Sequence, residues 1–406
     1  MGALAINVVA EHAAVALPGA AMLGLGLPRL FGRGIGRGAT ITVLSNFAAS
    51  SGSPYGGLIA DGNGKLYGTT PCGGTHDKGT VFELPGDSST ISTKVSFNGS
   101  NGALPYGGLI ADADGNLYGT TYAGGAFGLG TVFKLAKGSN TITTLASFNG
   151  RNGANPWGSL IADASGNFYG TTITGGAHSH GTVFELAKDS FTITTLASFN
   201  NNNGAYPEGC LITDGGGNLY GTAQCGGLCA SGTVFRLAKG SDTITTLASF
   251  NGRNGAYPVA GLIADASGNL YGTTGYGGAG NAGTVFKLMK DSGTITTMAN
   301  FNGRKGAYPY GRLIVDASGN LYGTTRGGGA RDCGTVFKLA KDSGKVTTLA
   351  SFNSINGAYP YGGLIADASG NLYGITVNGG VGGYGTIFKI TGTPRGDGIP
   401  GAAFDV

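Results

Sequence analysis

One short string, Leu-Tyr-Gly-Thr-Thr and its close variants, recurs along this chain and constrains what the chain can fold into. Its tyrosine stands at Tyr67, Tyr118, Tyr169, Tyr220, Tyr271, Tyr322 and Tyr373, each 51 residues after the last. A second string, Gly-Thr-Val-Phe, keeps the same step from Gly79 through Gly130, Gly181, Gly232, Gly283 and Gly334 to the variant at Gly385. Uninterrupted repetition at such a period overrides the usual division of a 406-residue chain into two or three domains.

Within one unit, four segments read as strands: Gly108 to Asp112, Leu117 to Thr121, Thr131 to Leu135 and Thr141 to Phe148. All are rich in β-branched or aromatic residues, and none has helical periodicity. The loop Asp112-Ala113-Asp114-Gly115-Asn116 joins the first two as a tight hairpin turn. Four antiparallel strands per unit, seven times over, is the pattern of an all-β, seven-bladed β-propeller, because one such sheet cannot bury both faces without neighbours. Glycine, at 82 residues, is too frequent for an ordinary domain, yet G-X-Y order is absent and 41% of the chain is apolar, which removes collagen and simple disorder.

The ends carry matching deficits. Ile41 to Phe47 aligns with the fourth strand of the other units but has no first three before it, and the last unit, Gly363 to Ile390, has no fourth. We expect the N-terminal strand to complete the last blade and close the ring. The chain divides into residues 1–38, an apolar and then basic leader or degenerate anchor; 39–392, the propeller; and 393–406, a tail.

The string Gly-Asn-Leu-Tyr-Gly-Thr-Thr, a Gly-Gly pair and then Gly-Thr-Val-Phe-Lys-Leu together resemble the bacterial Gloeo/Verruco tandem repeat, GloVer, over residues 41 to 390. That resemblance implies surface or exported proteins and supplies no catalytic residue set. The double glycine is also similar to kelch repeats, but the Tyr and Trp that kelch blades place after it are missing. The leader has its apolar stretch, Ala13 to Leu27, ahead of Arg29, Arg33 and Arg37. This is the reverse of a secretory signal, and it resembles the anchor of a bacterial C-terminal sorting tag placed at the start of the chain; a misassigned start codon fits as well. The expected location is extracellular or at the cell surface, with membrane contact only through that leader.

Lys plus Arg is 25 and Asp plus Glu is 21, so the strong basic field of a nucleic-acid binder is absent. Strand alternation puts the loops between second and third strands, and from the fourth strand to the next unit, on one face. Those loops vary between units, as ligand-binding loops on rigid scaffolds do. Directly after a proline at the start of each unit stand Tyr55, Tyr106, Trp157, Glu208, Val259, Tyr310 and Tyr361. The five aromatic ones, flanked by Arg151, Asn152, Arg304 and Arg312, suit a sugar whose apolar face stacks while its hydroxyls bond. Packing of each ring against its neighbour is the competing expectation.

Asp112 to Gly115 opens like a calcium loop, but Ala123 stands where a bidentate Glu is needed, so turn chemistry is expected and no metal. His76, His178 and His180 read as loop histidines. No cofactor motif is present. Cys210 lies near Cys225 in the hairpin register, with Cys229 four residues on, so one disulfide can form; isolated thiols are the other reading. The function expected is a non-catalytic, monomeric binding scaffold for a glycan or protein. The alternatives are a hydrolase or lyase with its site at the central channel mouth, or a purely structural surface module.

Overall fold

The computed structural model describes residues 39–86 and 88–392; the leader and tail read from the sequence lie outside them. Among the described residues there is no helix, and twenty-nine short strands form seven antiparallel sheets arranged as the seven blades of a propeller. No helix of the described residues is long and apolar enough to cross a membrane.

Blade 1 runs Ile59–Ala60, Leu66–Thr70, Thr80–Leu84 and Ser92–Ser96 in spatial order, and the later blades repeat it. Blade 3 adds Ala154–Pro156, which pairs with Phe168–Thr174. Blade 7 takes its outer strand from the other end of the chain: Thr40–Asn46 pairs antiparallel with Thr386–Thr391, Val43 opposite Phe388. The ring is therefore closed as the matching end deficits require.

The seven interfaces between blades are made alike. The phenylalanine after each fourth strand meets the third-strand phenylalanine of the next blade edge to face. The pairs are Phe97 with Phe133, Phe148 with Phe184, Phe199 with Phe235, Phe250 with Phe286, Phe301 with Phe337 and Phe352 with Phe388. Phe47 with Phe82, at 5.0 Å, completes the circle across the chain ends. These rings are almost wholly buried, and each pair contributes about 1 kcal/mol beyond its buried area.

Glycine permits this packing at two places. On Gly68 a Cβ would lie 2.6 Å from the Phe82 ring, so the Gly of Leu-Tyr-Gly makes room for the Phe of Thr-Val-Phe. Near the axis, a Cβ on Gly56 would lie 2.7 Å from the Gly107 backbone, and one on Gly107 2.9 Å from the Gly158 carbonyl. Neighbouring blades converge there backbone to backbone. This convergence also shortens the first strand, expected over Gly108 to Asp112, to the two residues Ile110–Ala111. The fourth, expected over Thr141 to Phe148, is Ile142–Ser147.

Candidate functional site

The two faces of the ring are built from different residues. On one, each hairpin between first and second strands is locked by an aspartate. Asp112 accepts from the Asp114 and Asn116 amides through Oδ1, and from Asn116 Nδ2 and the Tyr118 hydroxyl, each at 2.8 Å, through Oδ2. Asn116 Oδ1 in turn accepts from the Lys137 amide. The side-chain part of this clamp recurs at Asp163, Asp214, Asp265, Asp316 and Asp367. Burial pushes these carboxyls up, but the donors outweigh it and hold all six below the usual range. Every oxygen is occupied, as a structural turn requires, and Tyr118 is covered on its ring by Lys134 Nζ at 5.5 Å.

The opposite face carries the aromatic residues. In six blades the residue before the unit's proline has a positive φ, although it is Leu104, Asn155, Tyr206, Tyr257, Tyr308 or Tyr359. Such a conformation is unusual for bulky side chains, and here it lets one residue clasp two blades. The Tyr359 amide donates to the Cys333 carbonyl of blade 6 while its carbonyl accepts from Val377 of blade 7. The proline that follows is seated on a glycine of the preceding blade, Pro156 on Gly130 for example.

That clasp delivers the next side chain toward the axis. Tyr310, Tyr361, Tyr55, Tyr106 and Trp157 form a continuous arc: 5.0 Å between the centroids of Tyr310 and Tyr361, 5.2 Å to Tyr55, 5.4 Å to Tyr106, then a 4.1 Å parallel stack on Trp157. Tyr122 closes edge-on against both Tyr106 and Trp157. Glu208 and Val259 occupy the two remaining positions of the ring, so the run of aromatic residues is interrupted at blades 4 and 5. The structure thus brings all five aromatic candidates together, packed against one another.

Their expected polar companions lie elsewhere. Asn152 and Asn149 cap each other's amides in a peripheral turn. Arg151 and Arg304 are exposed, and the turn holding Arg304 rests on the outer strand of blade 6 through Thr348 to the Lys305 carbonyl. Arg312 turns into the axial wall, where its Nε donates to the Leu262 carbonyl at 3.1 Å and one terminal nitrogen is buried without a partner. All five cysteines are free thiols: Cys210 Sγ is turned onto Gly261 of blade 5, away from a bond with Cys225 or Cys229. His76 bonds to Thr75, and His180 lies edge-on to Tyr206.

Sequence reasoning noted Glu208 only as an exception to the aromatic column. In the structure it is the one carboxylate of the collar, partly buried, and burial raises its carboxyl to about 7. Cys225 and Tyr361 are both pushed up, by burial first and then by the Glu208 carboxylate. Also missed were Tyr122, Tyr257, Tyr276, Tyr308 and Tyr359, although the Tyr-Pro pairs share the 51-residue step. Ten large apolar side chains are exposed among the described residues, and eight of them are on this face: Phe127, Leu228, Tyr257, Tyr276, Ile355, Tyr359, Val381 and Tyr384. Only Phe191 and Met289 lie on the other.

The family profile described as Gloeobacter/Verrucomicrobia repeat matches residues 35–228 and again residues 209–397. No curated protein matches the sequence. Among solved structures, the chain is similar to the extracellular domain of a putative one-component system from B. thetaiotaomicron, with TM-score 0.57 and 10% identity. That match covers 87% of this chain and 40% of the other, so the chain spans well under half of its length. It is also similar to a puromycin-hydrolyzing peptidase of Mycobacterium tuberculosis, TM-score 0.53 at 13% identity over 87% and 54% of the two chains. The third is an oligogalacturonate lyase from Vibrio parahaemolyticus, TM-score 0.52 at 9% identity over 86% and 93%. At such identities the likeness is one of fold.

Proposed function

The chain belongs to the Gloeobacter/Verrucomicrobia repeat family, and on that premise we propose that it is a non-catalytic binding propeller, exported or displayed at the cell surface, whose aromatic face engages a protein ligand. The observation that carries this reading is the asymmetry of exposure, with eight of the ten exposed large apolar residues on one face. Exposed apolar side chains concentrated on one face point to an interaction surface, and tyrosine is enriched in such surfaces. Leu228, Ile355 and Val381, at 93%, 81% and 79% exposure, are aliphatic loop tips that suit a protein surface better than a sugar ring. The surface location finds support in the extracellular neighbour, whose likeness is of fold only.

The test compares two variants on immobilised envelope proteins and on a glycan array. Leu228→Ser with Ile355→Ser and Val381→Ser alters the aromatic face; Phe191→Ser with Met289→Ser alters the other. Retention on a protein that falls at least tenfold in the first variant and is unchanged in the second is expected. Equal retention by both overturns the reading, retention on glycans alone moves it to a sugar ligand, and no retention at all leaves a structural module.

A second reading is favoured by Glu208. A carboxyl titrating near 7 at a channel mouth is suited to general acid catalysis, so a hydrolase or lyase stands as the alternative. Among the described residues no three His, Cys, Asp or Glu side chains gather near it. Turnover of any glycoside or ester that is abolished by Glu208→Gln would establish it.

A further inference from the structure

On the hairpin face, the junction between blades 7 and 1 is built differently from its neighbours. In blades 2, 3, 4 and 6 the lysine two residues after the third strand lies across the glycine of its own hairpin. A Cβ on Gly115 would lie 3.2 Å from Lys137 Cδ, and the same contact recurs for Gly166 with Lys188, Gly217 with Lys239 and Gly319 with Lys341. Blade 1 has Pro85-Gly86 where blade 2 has Ala136-Lys137. A Cβ on Gly64, the matching hairpin glycine, would meet nothing within 4 Å. Between these two glycines and blade 7 lies a groove of about 630 Å³, a volume within the range of small-molecule sites.

The base of the groove is hydrocarbon. Leu44 and Tyr373 of blade 7 pack into one apolar cluster with Leu66 and Leu84 of blade 1, and all four line it. Its charged groups are donors with little to donate to. Lys389 Nζ stands over the Tyr373 ring at 5.2 Å, and no carboxylate pairs with it among the described residues, whose salt bridges both end on Glu83. Lys65, in the lining, shares Glu83 with Lys94, so one carboxylate answers two ammonium groups. The carboxylate of the lining, Asp367, is saturated: it accepts from the Ser369 and Asn371 amides through Oδ1 and from Asn371 Nδ2 and the Tyr373 hydroxyl through Oδ2. A cation would find no open acceptor there. A wholly apolar molecule would cover the Lys389 ammonium without bonding it, which is costly, and a small hydrophilic anion would leave the hydrocarbon base unused.

We propose that this groove at the ring closure binds a small organic carboxylate with an apolar body, the Lys389 ammonium serving as counter-charge and Leu44, Leu66 and Leu84 as the seat of the body. The site lies on the face opposite the protein-binding surface and does not depend on that reading.

Isothermal titration of the full chain with 4-phenylbutanoate is expected to give a saturable heat with a Kd below about 1 mM, and the neutral 4-phenylbutanamide is expected to bind at least tenfold more weakly. Lys389→Gln is expected to weaken the acid tenfold and leave circular dichroism unchanged, since the same strand position already holds Glu83 in blade 1 and Glu185 in blade 3. Gly86→Lys restores the residue of the other blades, fills the groove and is expected to abolish the signal. Should that variant fail to fold, Lys389→Gln decides alone. The loop-tip variant of the opposite face is expected to bind the acid as the native protein does. No saturable heat, equal affinity for acid and amide, undiminished binding in Lys389→Gln or in folded Gly86→Lys, or loss of the signal in the loop-tip variant overturns the site. None of these outcomes bears on capture of a protein by the aromatic face.

Discussion

The carboxylates of the two faces meet opposite fates. On the hairpin face, Asp214 is 5% exposed and receives the Gly216 and Asn218 amides, Asn218 Nδ2 and the Tyr220 hydroxyl. On the aromatic face, Glu208, six residues earlier, receives no donor at all. Burial pushes both upward; donors reverse the shift for Asp214 and nothing does for Glu208. Where the chain supplies every partner itself, the group serves the fold. Where it leaves a charge unmatched beside a ring of aromatics, the group is available to something else.

Both faces depend on a closed ring, so opening it gives the largest effect. Deleting residues 40–46 removes the partner of Thr386–Thr391 and exposes the edge of blade 7. The melting temperature is expected to fall by roughly 10 °C or more, with loss of a single cooperative transition. Calorimetry that shows an unchanged transition would mean that closure does not hold the ring.

Next in size is the hairpin face itself. Asp214→Ala strands four donors in a buried turn and is expected to cost about 2–4 kcal/mol in urea denaturation. Blade 1 contains a weaker natural copy. There Lys65 stands where the other blades have asparagine, and Asp61 keeps the Asn63 and Lys65 amides and a long 3.4 Å contact from Tyr67. Asp61→Ala is expected to cost about 1 kcal/mol. Equal costs at the two sites would show that the side-chain amide and tyrosine add nothing to the clamp.

What could be read in advance follows the same division. The hairpin turns and the ring closure were legible because they are periodic: seven identical demands on the chain leave a missing strand at one end and a spare at the other. The aromatic column was legible too, as a column. Its convergence into a collar was not, because the distance of a residue from the axis is set by how the blades tilt together at Gly56, Gly107 and Gly158, and local pattern is silent on that. For the same reason Arg304 and Tyr310, six residues apart, belong to the periphery and to the collar respectively. Cys210 likewise faces Gly261 in the next blade, because the close approach of the inner strands directs its side chain across the interface.

One expected effect has the opposite sign, and it separates the two faces most cleanly. The Glu208 carboxyl rises from 4.5 to about 7 on folding, so the folded protein binds the extra proton between those values. Stability from this group is full below about pH 4.5 and is lost as the pH climbs to about 7, after which it is constant. The clamp aspartates run the other way: their folded values lie below those of the unfolded chain, and their contribution is present above about pH 4 and lost only as acid protonates them. Glu208→Gln mimics the protonated acid at every pH. It is therefore expected to match the native protein near pH 4.5 and to exceed it by about 1–3 kcal/mol at pH 8, read from urea midpoints at the two pH values. A gain of the same size at both would place the cost of Glu208 in its shape and not its charge.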